Sequence, residues 1–178
     1  MKCPAFESNG VFALRLIANI WLSVGAALLL AAPLAAARPA ASSDAILTAS
    51  ASQPAAVTVD LDRAALEQMS HHTIATITPW TGGVSSYEGV LLHDLLHRLG
   101  VSGTTIKLTA LNDYAITIPA ADFDKYDVVL AYARDGQAMP VRDKGPLWVV
   151  YPLDGHPELN NEDTHSKMIW QVRRLEVE

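Results

Sequence analysis

Apolar and polar positions alternate over several short segments of this chain and follow a helical spacing in two others. Alternating or continuous apolar runs of the kind found in strands occupy residues 57–61, 73–77, 105–111, 115–118, 128–134, 147–151 and 169–177. Five leucines between residues 88 and 99 share one helical face, and Gly100 ends that helix. Asp62 can cap a shorter helix over residues 63–69. The pattern predicts a β-rich α+β domain, with a mixed or barrel-like sheet and two or three short helices.

The N-terminal segment has the layout of a secretory signal peptide. Lys2 and Arg15 precede an apolar run that ends at residue 30, and the small residues 35–37 resemble a cleavage site. A membrane anchor is the alternative, but the apolar run is shorter than the roughly 20 residues that a spanning helix needs. The layout therefore predicts a signal peptide over residues 1–37, cleaved near Ala37, and a periplasmic mature protein.

The rest of the chain divides into a lead-in and one domain. Residues 38–55 are rich in Ala, Ser and Pro and are predicted to be flexible, so the folded domain is expected over residues 56–178. A formal net charge of −6, without a basic run, argues against a nucleic-acid partner. The only cysteine, Cys3, lies in the predicted signal peptide, so the mature chain is expected to have no disulfide and no thiolate ligand.

Five short motifs follow one another along the predicted domain. They lie within residues 87–101, 113–122, 129–140, 144–152 and 167–177. Each motif is weak alone, but their order is similar to that of the molybdopterin-binding domain of sulfite-oxidase-type oxidoreductases. The resemblance covers nearly all of the predicted domain. It implies the fold of that family, and a pocket at the position where its members hold a molybdenum cofactor.

Two positions depart from the catalytic members of the family that the chain resembles. Those enzymes ligate molybdenum through a cysteine thiolate, and Thr76 takes that position here, with Thr78 as the alternative. A threonine hydroxyl is not ionised at neutral pH and is a much weaker ligand. The enzymes also bind the cofactor's phosphate through an arginine where this chain has Trp148, whose indole offers one N–H donor. Together with the lack of paired arginines in the signal, these departures argue against a molybdenum cofactor.

Four aromatic side chains are candidates for a pocket that stacks a planar heterocycle such as a pterin. They are Trp80, Tyr114, Trp148 and Trp170. Trp148 is assigned to the pocket, because the resemblance puts a cofactor contact at its position. Trp170 is assigned to the core, as large aromatics in short strands often are, and Trp80 fits either location.

Charged side chains are candidates for contacts with the edge of that ligand. Asp113, Arg134 or Arg142 can read the edge by hydrogen bonds. Lys144 and Lys167 match lysines near the family's cofactor loop and closing strand, and they can meet an anion. The alternative is that both lysines are solvated surface groups. No catalytic residue and no metal ligand is assigned.

These features favour a binding protein over an enzyme, and three hypotheses remain. The first is a periplasmic, non-catalytic protein that binds a planar, pterin-like ligand and signals to the periplasmic domain of a membrane signalling or redox protein. The second is a molybdenum-cofactor-dependent oxidoreductase with atypical metal ligation. The third is a structural partner without a ligand, in which Trp148 is buried. The polar segment 153–165, which shows no periodicity, is the predicted partner surface.

Overall fold

The strands form two five-stranded sheets in the computed structural model, which describes residues 44–52 and 55–178. The first sheet has the order β2-β1-β10-β5-β6, and only its β1/β10 pair is parallel. Its strands are β1 (Ala45–Ala51), β2 (Val57–Asp62), β5 (Thr105–Ala110), β6 (Ala115–Pro119) and β10 (Val172–Val177). The predicted β-rich fold with a mixed sheet is confirmed.

The second sheet is antiparallel and is built around β7. Its order is β3-β4-β7-β8, and a further strand, β9, also pairs with β7. The strands are β3 (His71–Thr76), β4 (Ser85–Leu91), β7 (Val129–Arg134), β8 (Gln137–Ala138) and β9 (Trp148–Val150). Every residue of β7 except the last is buried, so this strand forms the centre of the sheet.

Short helices connect the strands. They are α1 (Arg63–Glu67), α2 (Leu92–Arg98), α3 (Ala120–Lys125) and α4 (Glu162–Lys167), with 3-10 turns at Val141–Asp143 and Pro157–Leu159. The predicted cap of α1 is present, because the Asp62 carboxylate accepts a hydrogen bond of 2.7 Å from the Ala65 N–H. No helix in the described ranges is long and apolar enough to cross a membrane.

The structure corrects the predicted start of the folded domain. Strand β1 lies inside the segment that was predicted to be a flexible lead-in, and its side chains at Leu47, Ala49 and Ala51 are buried. Two of these three residues are alanines, so the period-two pattern is hard to distinguish from a low-complexity stretch. The predicted signal peptide, at residues 1–37, lies outside the described residues.

Two other segments differ from their predicted structure. The helix predicted over residues 88–99 is strand β4 up to Leu91, and only the rest is helix α2. Gly89 allows β4 to approach β7 closely, because a Cβ at this position would lie 2.1 Å from the Leu130 carbonyl oxygen. The polar segment 153–165 is more regular than predicted, since it contains a 3-10 turn and begins α4. The Asn161 side chain caps that helix by accepting from the Thr164 N–H at 3.0 Å.

Candidate functional site

An open groove of about 280 Å³ lies where three loops of the domain meet. It is lined by Trp80, Ala110, Asn112, Tyr114, His165, Ser166, Met168, Ile169 and Trp170, and we call it the aromatic groove. Three of its side chains are large, aromatic and exposed: Trp80 (38%), Tyr114 (52%) and Trp170 (37%). Exposed aromatic faces gathered in one concave site are suited to binding a flat, apolar ligand.

The β3–β4 loop holds Trp80 at the groove. The Thr78 hydroxyl lies 2.8 Å from the Thr81 hydroxyl and accepts from the Trp80 N–H at 3.4 Å. The Trp80 indole then packs edge-to-face against two other indoles, with ring centroids 5.2 Å from Trp170 and 6.1 Å from Trp148. This geometry, which aromatic pairs prefer, fixes one wall of the groove against the core.

The β5–β6 turn presents Tyr114 to the groove. Asp113 has a left-handed backbone (φ 64°), which Asp tolerates better than most residues. The Asn112 side-chain oxygen accepts from the Tyr114 N–H at 3.2 Å, and this bond closes the turn. The Asp113 carboxylate pairs with Arg173, and it does not line the groove. The prediction that Asp113 lies in the pocket is therefore wrong, although its neighbours on both sides line the groove.

Helix α4 carries His165 and Ser166 into the groove and is anchored through Lys167. The Lys167 ammonium lies 2.6 Å from the Asp163 carboxylate and 3.2 Å from that of Asp122 on α3. Partial burial alone would lower the pKa of Lys167. The hydrogen bonds and charges of the two carboxylates outweigh that effect, so the pKa lies above its ordinary value. Lys167 is thus committed to an ion pair within the protein, which contradicts its predicted role as a contact for a bound anion.

The same ion-pair cluster includes a buried tyrosine, which is expected to make the protein less stable at alkaline pH. Tyr151 is fully buried, and its hydroxyl donates to Asp122 at 3.1 Å. Burial, followed by the charge and hydrogen bond of Asp122, raises the pKa of Tyr151. Above its ordinary value of 10.0, the unfolded chain loses a proton that the folded chain keeps. We therefore expect the free energy of unfolding to fall as pH rises above that value. Lys167 contributes in the same direction.

Urea unfolding at several alkaline pH values tests this expectation. The Tyr151→Phe variant should lose stability less steeply with pH, by up to about 1.4 kcal/mol per pH unit. Tyr114→Phe, at an exposed tyrosine, is the control and should follow the wild type. Equal slopes for Tyr151→Phe and the wild type would contradict the assignment.

The structure reverses the predicted roles of two tryptophans. Trp148 is fully buried; its indole Nε1 donates to the Met168 carbonyl at 3.0 Å, and its ring packs edge-to-face on Tyr87 at 5.3 Å. It cannot offer the stacking face that was predicted for it. Trp170, which was predicted to be a core residue, is exposed and lines the groove. Trp148 pairs with Ala131 of the central strand β7, whereas Trp170 precedes β10 and makes only an isolated bridge.

The predicted cationic contacts lie away from the aromatic groove. Arg134 is bound to Asp143 at 2.9 Å and lines a separate cavity of about 230 Å³. Arg142 is exposed on the 3-10 turn, and it lines neither that cavity nor the groove. Lys144 comes closer, since its ammonium lies 5.7 Å from the ring centroid of Trp170 and 5.5 Å from that of Trp148. Of the charged candidates, only Lys144 reaches an aromatic wall of the groove.

Three polar groove residues were missed by the sequence predictions. Asn112, His165 and Ser166 line the groove. Asn112 stood out only as a turn residue, and the other two lie in the polar segment that shows no periodicity. The Asn161 cap is a sequence signal for the short helix that carries His165, but it does not show which residues that helix meets.

Comparisons with known proteins identify the family. A sequence model described as the oxidoreductase molybdopterin binding domain matches residues 38–154, which is more than half of the chain. The chain belongs to this family. Its fold is similar to that of the sulfane dehydrogenase SoxCD from Paracoccus pantotrophus, with a TM-score of 0.54 and 19% sequence identity. That match covers 74% of this chain but 37% of the other, so it establishes the fold alone. No curated protein matches the sequence.

The molybdopterin-binding family implies a molybdenum cofactor, and the side chains present do not fit its metal centre. At the predicted ligand position, the Thr76 hydroxyl is fully buried, accepts from the Asp154 N–H at 3.1 Å and donates to the Ile77 carbonyl at 3.3 Å. The alternative, Thr78, is bound to Thr81 and to the Trp80 N–H. Both hydroxyls are thus satisfied within the protein, and neither is the soft, ionised ligand that a thiolate provides.

Proposed function

We propose that this chain is an exported binding protein that holds a planar, pterin-like ligand in the aromatic groove. The observation that carries the proposal is the exposure of Trp80, Tyr114 and Trp170 around one concave site. Large aromatic side chains cost little conformational entropy to order and offer flat faces, so they stack well on heterocycles. Membership of the molybdopterin-binding family supports a pterin as the ligand class.

The proposal includes export and a membrane partner. The N-terminal layout of Lys2, Arg15, an apolar run and small residues supports a signal peptide and a periplasmic location. In this proposal the chain reports ligand binding to another molecule. Helix α4 is suited to that role, because it contributes His165 and Ser166 to the groove and exposes Glu162 to solvent. A periplasmic domain of a membrane signalling or redox protein is the proposed receiver.

A second candidate function is a molybdenum-dependent oxidoreductase with atypical metal ligation. The family match supports it, since the family is named for its oxidoreductase activity and its molybdopterin. The hydrogen bonds already made by Thr76 and Thr78 count against it. The two candidates differ in one measurable property, which is the metal content of the native protein.

Analysis of protein purified from its native host separates the two functions. We expect mass spectrometry of released small molecules to find a pterin, and metal analysis to find molybdenum far below one atom per chain. If the affinity is high, the ligand stays bound through purification and the protein is isolated loaded. Molybdenum close to one atom per chain would establish the second function instead. For protein isolated empty, added pterin that fails to quench tryptophan fluorescence would rule out the first.

A further inference from the structure

A second cavity, of about 360 Å³, lies beside strand β10. Its lining consists of two arginines, one threonine and otherwise apolar residues: Ala45, Ile46, Leu47, Thr48, Leu111, Val141, Pro146, Arg173 and Arg174. We call it the arginine cavity. It shares no lining residue with the aromatic groove. Its volume is within the range of about 300–1,000 Å³ that is typical of ligand pockets.

A bulge in β10 brings the two arginines to the same cavity. Val172 pairs with Ala110 of β5. The next pair joins Arg174 to Thr109, so Arg173 is an extra residue without a partner on β5. Neighbouring residues of a regular strand point to opposite faces, whereas a bulge redirects one of them. The bulge accounts for the presence of two consecutive arginines in one lining.

The charge of Arg173 is only partly neutralised by the protein. No Asp or Glu lines the cavity. The Asp113 carboxylate, which lies outside the lining, pairs with Arg173, but the Asp113 side chain is 78% exposed and solvent screens such a pair. The Arg173 Nε is buried and has no hydrogen-bond partner in the described part of the chain. The cavity therefore has more positive charge on its wall than one exposed carboxylate balances.

Arg174 has no ion-pair partner at all among residues 44–52 and 55–178, and it is exposed. On the β1 side, the carboxylate of Asp60 accepts from the Thr48 hydroxyl at 2.6 Å. Thr48 pairs with both Asp60 and Arg174, so two strand spacings, or about 10 Å, separate their backbones. A guanidinium without a carboxylate partner can bind an external one through two parallel N–H donors.

The apolar wall of the cavity is also open to solvent. Leu111 is 42% exposed and Val141 is 51% exposed. Gln171 holds the two loops that carry them. Its backbone carbonyl accepts from the Leu111 N–H at 2.9 Å, and its side-chain amide donates to the Val141 carbonyl at 2.7 Å. Exposed apolar surface beside a guanidinium is suited to a ligand with an apolar body and an anionic end.

We propose that the arginine cavity binds a small carboxylic acid with an aliphatic chain. Its carboxylate pairs with Arg174, and its chain packs on Leu111 and Val141. A carboxylate carries one charge, which matches the one arginine of the cavity that has no ion pair among the described residues, whereas a phosphate monoester carries nearly two at neutral pH. The proposal goes beyond the proposed function, because this site and the aromatic groove have no lining residue in common.

Calorimetric titration with octanoate at about pH 7.5, where a carboxylate is ionised, tests the proposal. Wild-type protein should bind octanoate at least about tenfold more tightly than acetate, which lacks the chain, and than octanol, which lacks the charge. Arg174→Gln should weaken octanoate binding about fivefold or more, and Arg174→Lys, which keeps the charge, should retain more of the affinity. Arg142→Gln, at an exposed arginine that does not line the cavity, is the matched control and should stay within about twofold.

The other outcomes locate the acid. Leu111→Ala should weaken the binding of octanoate and not that of acetate. The proposal is overturned if the wild type does not bind octanoate, or if Arg174→Gln binds it like the wild type. Acetate that binds as tightly as octanoate would contradict the role of the apolar wall. Loss of octanoate binding in Trp170→Ala would place the acid in the aromatic groove instead. Thermal unfolding midpoints show whether each variant is folded.

Discussion

Replacing Trp148 by alanine is expected to lower the free energy of unfolding by about 3–5 kcal/mol. The indole is fully buried, packs edge-to-face on Tyr87 and Trp80, and donates its N–H to the Met168 carbonyl. The substitution opens a cavity in the core and removes that hydrogen bond. Urea unfolding monitored by circular dichroism measures the change, which is large compared with the total stability of a domain of this size.

Two further substitutions show which contacts of Trp148 matter. Trp148→Phe keeps an aromatic ring against Tyr87 but loses the N–H donor, so we expect a smaller loss of about 1–3 kcal/mol. Trp170→Ala removes a partly exposed indole that packs on Trp80 and should lower the free energy of unfolding by clearly less than Trp148→Ala. If Trp148→Ala were as stable as Trp170→Ala, Trp148 would not be the core residue that its burial indicates.

The reversal of these two tryptophans marks the limit of what could be predicted from the sequence. Both residues lie in apolar segments with strand-like patterns, and the pattern alone does not show which strand is central. Trp148 is buried because β9 pairs with β7 at the centre of the second sheet. Trp170 is exposed because it lies before β10, next to Gln171, which has a left-handed backbone (φ 55°). Sheet order, which is a long-range property, determined their roles.

Local signals were more reliable than long-range ones. The alternation around Thr105 and the turn at Asn112 predicted β5, β6 and their connection well, because a hairpin depends on neighbouring residues. Strand β1 was missed because it is rich in alanine, although it pairs with the neighbouring strand β2 as well as with the distant β10. Only part of the groove was predicted from the sequence. Trp80 and Tyr114 were candidates, whereas His165 became one only through the position of α4.

Ion pairs account for three of the charged side chains that were predicted at the edge of the pocket. The sequence predicted a pocket edged by Asp113, Arg134 and Lys167, but each is neutralised by an ion pair elsewhere in the domain. Strong ion pairs form where the fold brings opposite charges together, and a sequence does not show which partners will meet. The groove that remains is aromatic, with the Lys144 ammonium 5.7 Å from the Trp170 ring centroid. A ligand would be held there by stacking and by a few neutral hydrogen bonds, without a large electrostatic contribution.

Replacing Trp170 by alanine is expected to weaken pterin binding by about tenfold or more, because loss of one stacking indole costs roughly 1–3 kcal/mol. Calorimetry is the suitable measurement, since it does not depend on tryptophan fluorescence. Leu111→Ala is the matched control: this side chain is exposed next to Asn112 but lines a different cavity, so its loss should leave the affinity within about twofold. A Trp170→Ala variant that binds pterin like the wild type would place the ligand outside the aromatic groove. A loss of binding in a Trp170→Ala variant that is folded like the wild type reports on the groove itself.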